Sequence, residues 1–162
     1  MYYISKVLSL HANSIYMDLV INKENVYREV AKTSAYVAAK MDDETAYERV
    51  FTTEENAEIL DGFWEECKAV VCNSLKKYFV SGIENDGSYT LTLNLSPAFD
   101  EGRTEEVQST LFAFFVKSVL ARWFAIADKA NAQEYALAAA ALLEATKRLV
   151  YYKKGPILSY GK

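Results

Sequence analysis

Apolar positions change period along the chain, and each change marks an element. After the turn-like His11-Ala-Asn-Ser14, Ile15, Met17, Leu19 and Ile21 alternate with Tyr16, Asp18 and Val20. This period of two predicts a strand or extended arm. Val26, Val30, Thr33 and Val37 then recur at helical spacing. They predict a helix running to about Met41, with Asn22 to Asn25 as its cap region and Tyr27 and Tyr36 flanking the apolar face. Asp42-Asp-Glu44 interrupts the pattern, and a short helix is expected over Glu44 to Phe51. Thr52-Thr-Glu-Glu55 reads as a capping box, with Thr52 as the cap and Glu55 reaching back. It opens a long helix expected to reach about Phe79. The apolar face of that helix is Leu60, Phe63, Trp64, Cys67, Val71, Leu75 and Tyr78, and Glu54, Glu58, Asp61 and Glu65 form a stripe on the other side.

Ser81 to Ser88 is rich in Gly, Asn and Asp and predicts a loop. Tyr89, Leu91, Leu93 and Leu95 alternate with Thr90, Thr92 and Asn94, the clearest strand signal in the sequence. Pro97 ends it, and Asp100-Glu-Gly-Arg103 is a second loop. From Thr104 to Asp128 the chain is apolar nearly all the way round, above all in Leu111 to Ala127. A helix of that kind is covered on most sides by its own protein. Lys117 and Arg122 break its apolar runs into pieces far shorter than the roughly 20 residues of a membrane span, so a buried central helix is expected. Asn131 with Glu134 signals a further cap. The last helix, Ala132 to about Tyr152, has Tyr135, Ala138, Ala139, Leu142, Thr146 and Leu149 as its inner face. Its end is basic, at Lys147, Arg148, Lys153 and Lys154, which complements the helix dipole. Gly155-Pro156 stops it. Ile157 to Lys162 is an apolar, aromatic tail that suggests docking on its own domain or on a neighbour.

These elements fit one domain. A chain of 162 residues suffices for a substantial core, and 51% apolar and 14% aromatic residues are too many for a disordered chain. The expected fold is mainly α: a helical bundle of about four main helices with a small β element at Ser88 to Leu95 and extended N- and C-terminal arms. Ser14 to Ile21 is the candidate partner of that β element. The organisation is an N-terminal arm or strand over 1–21, a helical domain over 22–154, and a C-terminal tail over 155–162. The 12 tyrosines suit packing against other chains, although any single one is more simply a core-edge residue.

Charge and candidate chemistry narrow the function by exclusion. The net charge of −4 argues against a protein that coats nucleic acid. Met1-Tyr-Tyr-Ile-Ser-Lys6 lacks the basic start and apolar run of a signal peptide. Cys67 and Cys72, five apart on a helix, point to different sides, so neither a disulfide nor a C-x-x-C redox motif is expected, and a reducing cytoplasm is the natural compartment. His11 is the sole histidine, which removes a zinc site and weakens any His-based triad. Neither G-x-G-x-x-G nor a P-loop occurs. Glu54-Glu-Asn-Ala-Glu58 fits the E-E-x-x-E pattern with which all-α nucleotide pyrophosphatases hold magnesium. The second E-x-x-D motif of that family is missing downstream, and the stripe reads more simply as a solvated face. It also suits the lining of a pore through which DNA slides without sticking. Lys117 and Arg122 either pair with an acid from the long helix, snorkel, or face another subunit. No catalytic residue, metal ligand or cofactor is assigned.

Val26-Tyr-Arg-Glu-Val-Ala-Lys-Thr-Ser-Ala-Tyr-Val-Ala-Ala-Lys40 and Thr45-Ala-Tyr-Glu-Arg-Val-Phe-Thr-Thr53 resemble small proteins encoded in structural-gene blocks of Bacteroidetes phages and prophages. Ser109-Thr-Leu-Phe-Ala-Phe-Phe-Val-Lys117, Arg122-Trp-Phe124 and Arg148-Leu-Val-Tyr-Tyr-Lys-Lys154 extend the resemblance, which runs from about Ile15 to Lys154 and consists of helix-packing patterns. A helical core with a short β element is also similar to head–tail connector (adaptor) proteins of tailed phages. The resemblance implies a non-enzymatic virion component that forms a homo-oligomeric ring at the portal–tail junction, assembled in the bacterial cytoplasm. Its implied partners are its own copies and portal and tail or neck proteins, with DNA passing nearby and no membrane. On this reading Glu54, Glu58, Asp61 and Glu65 are candidate channel-facing residues, and Tyr151, Tyr152, Ile157, Leu158 and Tyr160 are candidate subunit contacts. A magnesium-dependent nucleotide hydrolase using Glu54, Glu55 and Glu58, or a small soluble protein-binding adaptor, is the alternative.

Overall fold

A computed structural model describes residues 14–155. The order is β1 (Ile15–Asn22), α1 (Lys23–Ala39), α2 (Ala46–Val50), α3 (Ala57–Ser74), β2 (Phe79–Asn85), β3 (Ser88–Leu95), α4 (Thr104–Ala127) and α5 (Lys129–Tyr151), with single 3₁₀ turns at Glu54–Asn56 and Glu101–Arg103. The fold is mainly helical, with four long helices and a small antiparallel sheet in the order β1-β3-β2. The expected fold class is therefore correct.

The alternation of β1 and β3 means what it implied. Ile15 lies opposite Leu95 and Asn22 opposite Ser88. Met17, Leu19 and Ile21 face inward with Tyr89, Leu91, Leu93 and Leu95, and all seven are buried. The sheet sits against α4, which also packs on α1, α3 and α5. Among the described residues, the helix over Glu101–Ala127 is the one long and apolar enough to cross a membrane. In this fold Val107, Leu111, Phe114, Phe115, Val119, Leu120, Trp123 and Phe124 of that helix are buried inside the domain. Each such side chain contributes about 1.5–3 kcal/mol relative to exposure, so the apolar stretch is accounted for by the core.

The structure corrects several boundaries. The segment expected as a loop over Ser81 to Ser88 is strand except for Asp86 and Gly87: β2 and β3 form a hairpin. The turn is Asp86-Gly87, both at positive φ (48° and 71°), as a two-residue hairpin turn requires. The long helix consequently stops at Ser74, and Phe79 already belongs to β2. The capping box sits one residue later than expected and on the 3₁₀ turn that leads into this helix: the Thr53 N–H and hydroxyl donate to the Asn56 side chain at 2.8 and 3.2 Å. Thr52 is buried instead, and its N–H donates to Ser34 Oγ at 3.2 Å, pinning the connection to α1. That contact also explains why the buried face of α1 is Val26, Val30, Ser34 and Ala38, turned by one residue from the expected Thr33 and Val37. Asn22 caps α1, accepting from the Asn25 N–H at 2.9 Å. The last helix begins at Lys129 because Asp128 is its cap, accepting from the Ala130 N–H and from the Asn131 side chain. Ala139, Thr146 and Val150 are buried along α5. The chain after α5 turns back on the domain: Phe99 and Lys153 form an isolated bridge, and the Lys154 N–H donates to the Ala98 carbonyl at 2.8 Å.

Candidate functional site

The densest group of titratable side chains lies where α1, α3 and β2 meet. Lys23 is held there by the turn of the hairpin, since its N–H donates to the Gly87 carbonyl at 2.8 Å. Tyr27, one helical turn on, donates its hydroxyl to Asp61 at 2.6 Å. Lys23 Nζ bridges Asp61 at 3.3 Å and Glu84 at 3.6 Å. Glu84 also accepts from Trp64 Nε1 at 3.1 Å and from Lys68 Nζ at 2.5 Å. Lys68 in turn reaches Glu65 at 2.7 Å. Asp61, Trp64, Glu65 and Lys68 fall within two turns of α3, so helical spacing delivers them together.

The electrostatics follow from these partners. Burial works against the Glu84 carboxylate, but the bonds from Lys68 and Trp64 and the nearby Lys23 outweigh it and hold its pKa below the usual 4.5. Burial likewise opposes the Lys68 ammonium, and Glu65 and Glu84 together overcome it and raise its pKa. Burial, reinforced by the bond to Asp61, pushes the Tyr27 phenol far up, so it remains a donor. Every acid and base in the group is matched, and none is left as a free nucleophile or base. Such partly exposed pairs add little stability singly. Their effect is to fix the angle between two helices and the hairpin while giving the buried Trp64 N–H an acceptor.

Glu84→Gln keeps the shape and removes the charge. At pH 7 it is expected to cost about 1–2 kcal/mol. A carboxylate whose folded pKa is depressed contributes stability above its unfolded value, and the contribution is lost as pH falls through the folded value. The wild-type and variant proteins should therefore converge below the ordinary 4.5. Urea unfolding at neutral pH and again in acid measures this, and an equal difference at both would refute the assignment.

The acidic stripe is not four equivalent carboxylates. Glu54 lies in the 3₁₀ turn before α3, and Glu58 lies in the first turn of α3; both are exposed. Asp61 and Glu65 are taken up by Tyr27, Lys23 and Lys68. The E-E-x-x-E spacing of Glu54, Glu55 and Glu58 thus crosses a change of helix type, and no group of metal-capable side chains occurs among the described residues. Both cysteines are free thiols. Burial pushes the Cys67 thiol up, which leaves it unreactive. Cys72 shares a 3.2 Å hydrogen bond with the Tyr89 hydroxyl.

The interrupting charges of α4 are met inside the chain. Arg122 pairs with Glu66 of α3 at 2.7 Å and bonds the Ser118 carbonyl and hydroxyl. Lys117 sits over the Tyr135 ring at 4.8 Å. Tyr151 and Tyr152 are 60% and 45% exposed. The Arg103 guanidinium covers the Tyr152 ring at 4.2 Å, and Lys77 and Lys153 approach Tyr151. His11, Ile157, Leu158 and Tyr160 lie outside the described residues. Compared with known protein families, curated proteins and solved structures, the chain matches none.

Sequence reasoning missed two ties that fix the architecture. Trp123 Nε1 donates to the Val50 carbonyl at 2.6 Å and anchors α2 to α4. Gln108 clasps the backbone of β1, accepting from the Val20 N–H at 2.9 Å and donating to its carbonyl at 2.6 Å. Both span more than seventy residues of sequence, and no local signal announces either.

Proposed function

We propose that this chain is a virion structural protein of a tailed phage, a head–tail connector (adaptor) subunit that works as a closed ring at the portal–tail junction. The observation that carries the reading is a division of labour among side chains. The densest charged cluster is spent on internal ties, while large apolar and aromatic residues stand outside, among them Tyr36, Tyr47, Phe79, Val80, Ile83, Tyr151 and Tyr152. Apolar contact surface of that kind serves assembly. The resemblance of the helical segments to phage structural proteins supplies the setting. Glu54 and Glu58, exposed and with no cation paired to them among the described residues, are the members of the stripe available to line a channel and repel a DNA backbone.

Peptide mass spectrometry on purified, DNA-filled particles, quantified against the major capsid protein, tests the proposal. The expected result is a constant low copy number, on the order of a dozen per particle, as a closed ring requires. Absence from particles, with the protein abundant in the soluble lysate, would overturn it.

A further inference from the structure

The basic end of α5 does more than complement the helix dipole, because the fold lays it against a second basic pair. Lys77 Nζ lies 5.8 Å and Lys153 Nζ 5.6 Å from the centre of the same Tyr151 ring. Two stretches far apart in sequence, Lys76-Lys77 and Arg148 to Lys154, thus form one surface. Both stand on fixed backbone. The turn after α3 is closed by the Tyr78 and Phe79 N–H groups, which donate to the Leu75 carbonyl at 2.8 and 3.0 Å. Lys153 and Lys154 are held by the bridge to Phe99 and the bond to Ala98. Lys76, Lys77, Arg148, Lys153 and Lys154 are exposed, and none is paired with a carboxylate among the described residues. Glu144, one turn before Arg148, is taken by Lys147, and Glu106 by Arg103, each at 2.8 Å. Other surface cations are matched: Lys32 has Glu29, Arg49 has Asp43 and Arg122 has Glu66. A lysine placed against an aromatic ring keeps its charge for a ligand, whereas one placed against a carboxylate does not. Glu54 and Glu58 stand at the other end of α3, a helix of 18 residues, so roughly 27 Å separates them from Lys76 and Lys77. At several Debye lengths they do not neutralise the patch.

We infer that this end of the molecule binds the phosphodiester backbone of a nucleic acid. All of its unpaired cations but Arg148 are lysines. Lysine is a point charge that suits phosphate oxygens spaced along a chain, whereas a protein carboxylate is matched better by the planar fork of arginine. Contacts of this kind carry no sequence information, so binding is indifferent to sequence. The net charge of −4 for the whole chain repels a polyanion elsewhere and confines the contact to this patch. Such a local contact differs from coating a nucleic acid, which needs a basic surface throughout. The inference is independent of the connector reading: it is tested on the purified chain, and that reading on particles.

Fluorescence anisotropy of a labelled DNA of about 20 nucleotides, single-stranded and as duplex, titrated with the full chain between about 50 and 200 mM salt, tests it. The expected result is a Kd on the order of 10⁻⁴–10⁻⁶ M near physiological salt, unchanged by sequence, with log K for the duplex falling against log salt with a slope of about −3 to −4.5. Lys77→Gln/Lys153→Gln should reduce the steepness of that slope by about 1.8 and weaken binding at low salt by about tenfold or more. Arg28→Gln/Lys129→Gln, on α1 and at the far end of α5, changes the net charge equally and should bind as wild type. All four side chains are exposed, so both variants keep the fold. No binding at the lowest salt, a Lys77→Gln/Lys153→Gln protein that binds like wild type, or an equal loss in the control pair would overturn the inference. So would displacement of the DNA by poly-glutamate at equal charge, which would assign the patch to an acidic protein surface.

Discussion

Trp64→Ala is expected to lower the stability of the domain by about 3–5 kcal/mol, the range for deleting a fully buried tryptophan. Trp64 is fully buried. Its ring lies 4.9 Å from Phe115 of α4 and edge-on to Tyr27 at 6.5 Å. Its N–H donates to Glu84. Truncation therefore opens a cavity between α1, α3 and α4 and removes one of the two strong donors that hold Glu84. For a domain of this size each kcal/mol corresponds to about 2–4 °C in Tm, so a fall of about 6–20 °C is expected in a thermal melt followed by circular dichroism. Trp64→Phe separates the contributions: it keeps most of the packing, loses the N–H, and should cost about 1–2 kcal/mol. A Trp64→Ala protein melting within a degree or so of wild type, on the scale just given, would show that α3 is not joined to the core as described.

Phe124→Ala is expected to cost a similar 3–5 kcal/mol but to act elsewhere. Phe124 is fully buried near the end of α4, with its ring 4.9 Å from Tyr135 of α5. Lys117 Nζ also lies over the Tyr135 ring. The loss falls on the α4–α5 contact, so amides of α5 should exchange faster while those of β1 and β3 keep their relative protection. This variant also distinguishes two readings of the most apolar helix. If α4 faced lipid or another chain instead of its own α5, truncating Phe124 would leave the melting temperature of the isolated protein unmoved.

What was legible in the sequence was whatever burial writes into local periodicity. Alternation in Ile15 to Ile21 and Tyr89 to Leu95 predicted strands, and their pairing follows because each hides one face. The apolar stretch of α4, interrupted only at Lys117 and Arg122 between Leu111 and Ala127, predicted a helix covered on most sides. The apolar face of α3 and the inner face of α5 were read correctly for the same reason. β2 was missed because an edge strand exposed on most of its length carries no alternation. Its signal was the Asp86-Gly87 pair, a hairpin turn between two strands and not part of a loop. Caps were misplaced by one to three residues because several Thr, Asn and Asp side chains compete at each helix start. Tertiary contact decides among them, as Ser34 does by taking Thr52.

The sequence by itself determined which residues seek the interior: the helical stripes, the two alternating strands and the central helix. Only the tertiary structure decided which partners they meet. Asp61 looks like a member of a free acidic stripe until Tyr27 and Lys23 arrive from α1. Glu84, in a segment read as a loop, becomes the acceptor that Trp64 needs. Gln108 closes one edge of the sheet, and nothing described closes the other. The physical reason is one of range. Hydrophobic burial acts on every turn of a helix or strand and repeats with its period, whereas a hydrogen bond or ion pair between distant residues is specified once, by the fold that brings its two ends together.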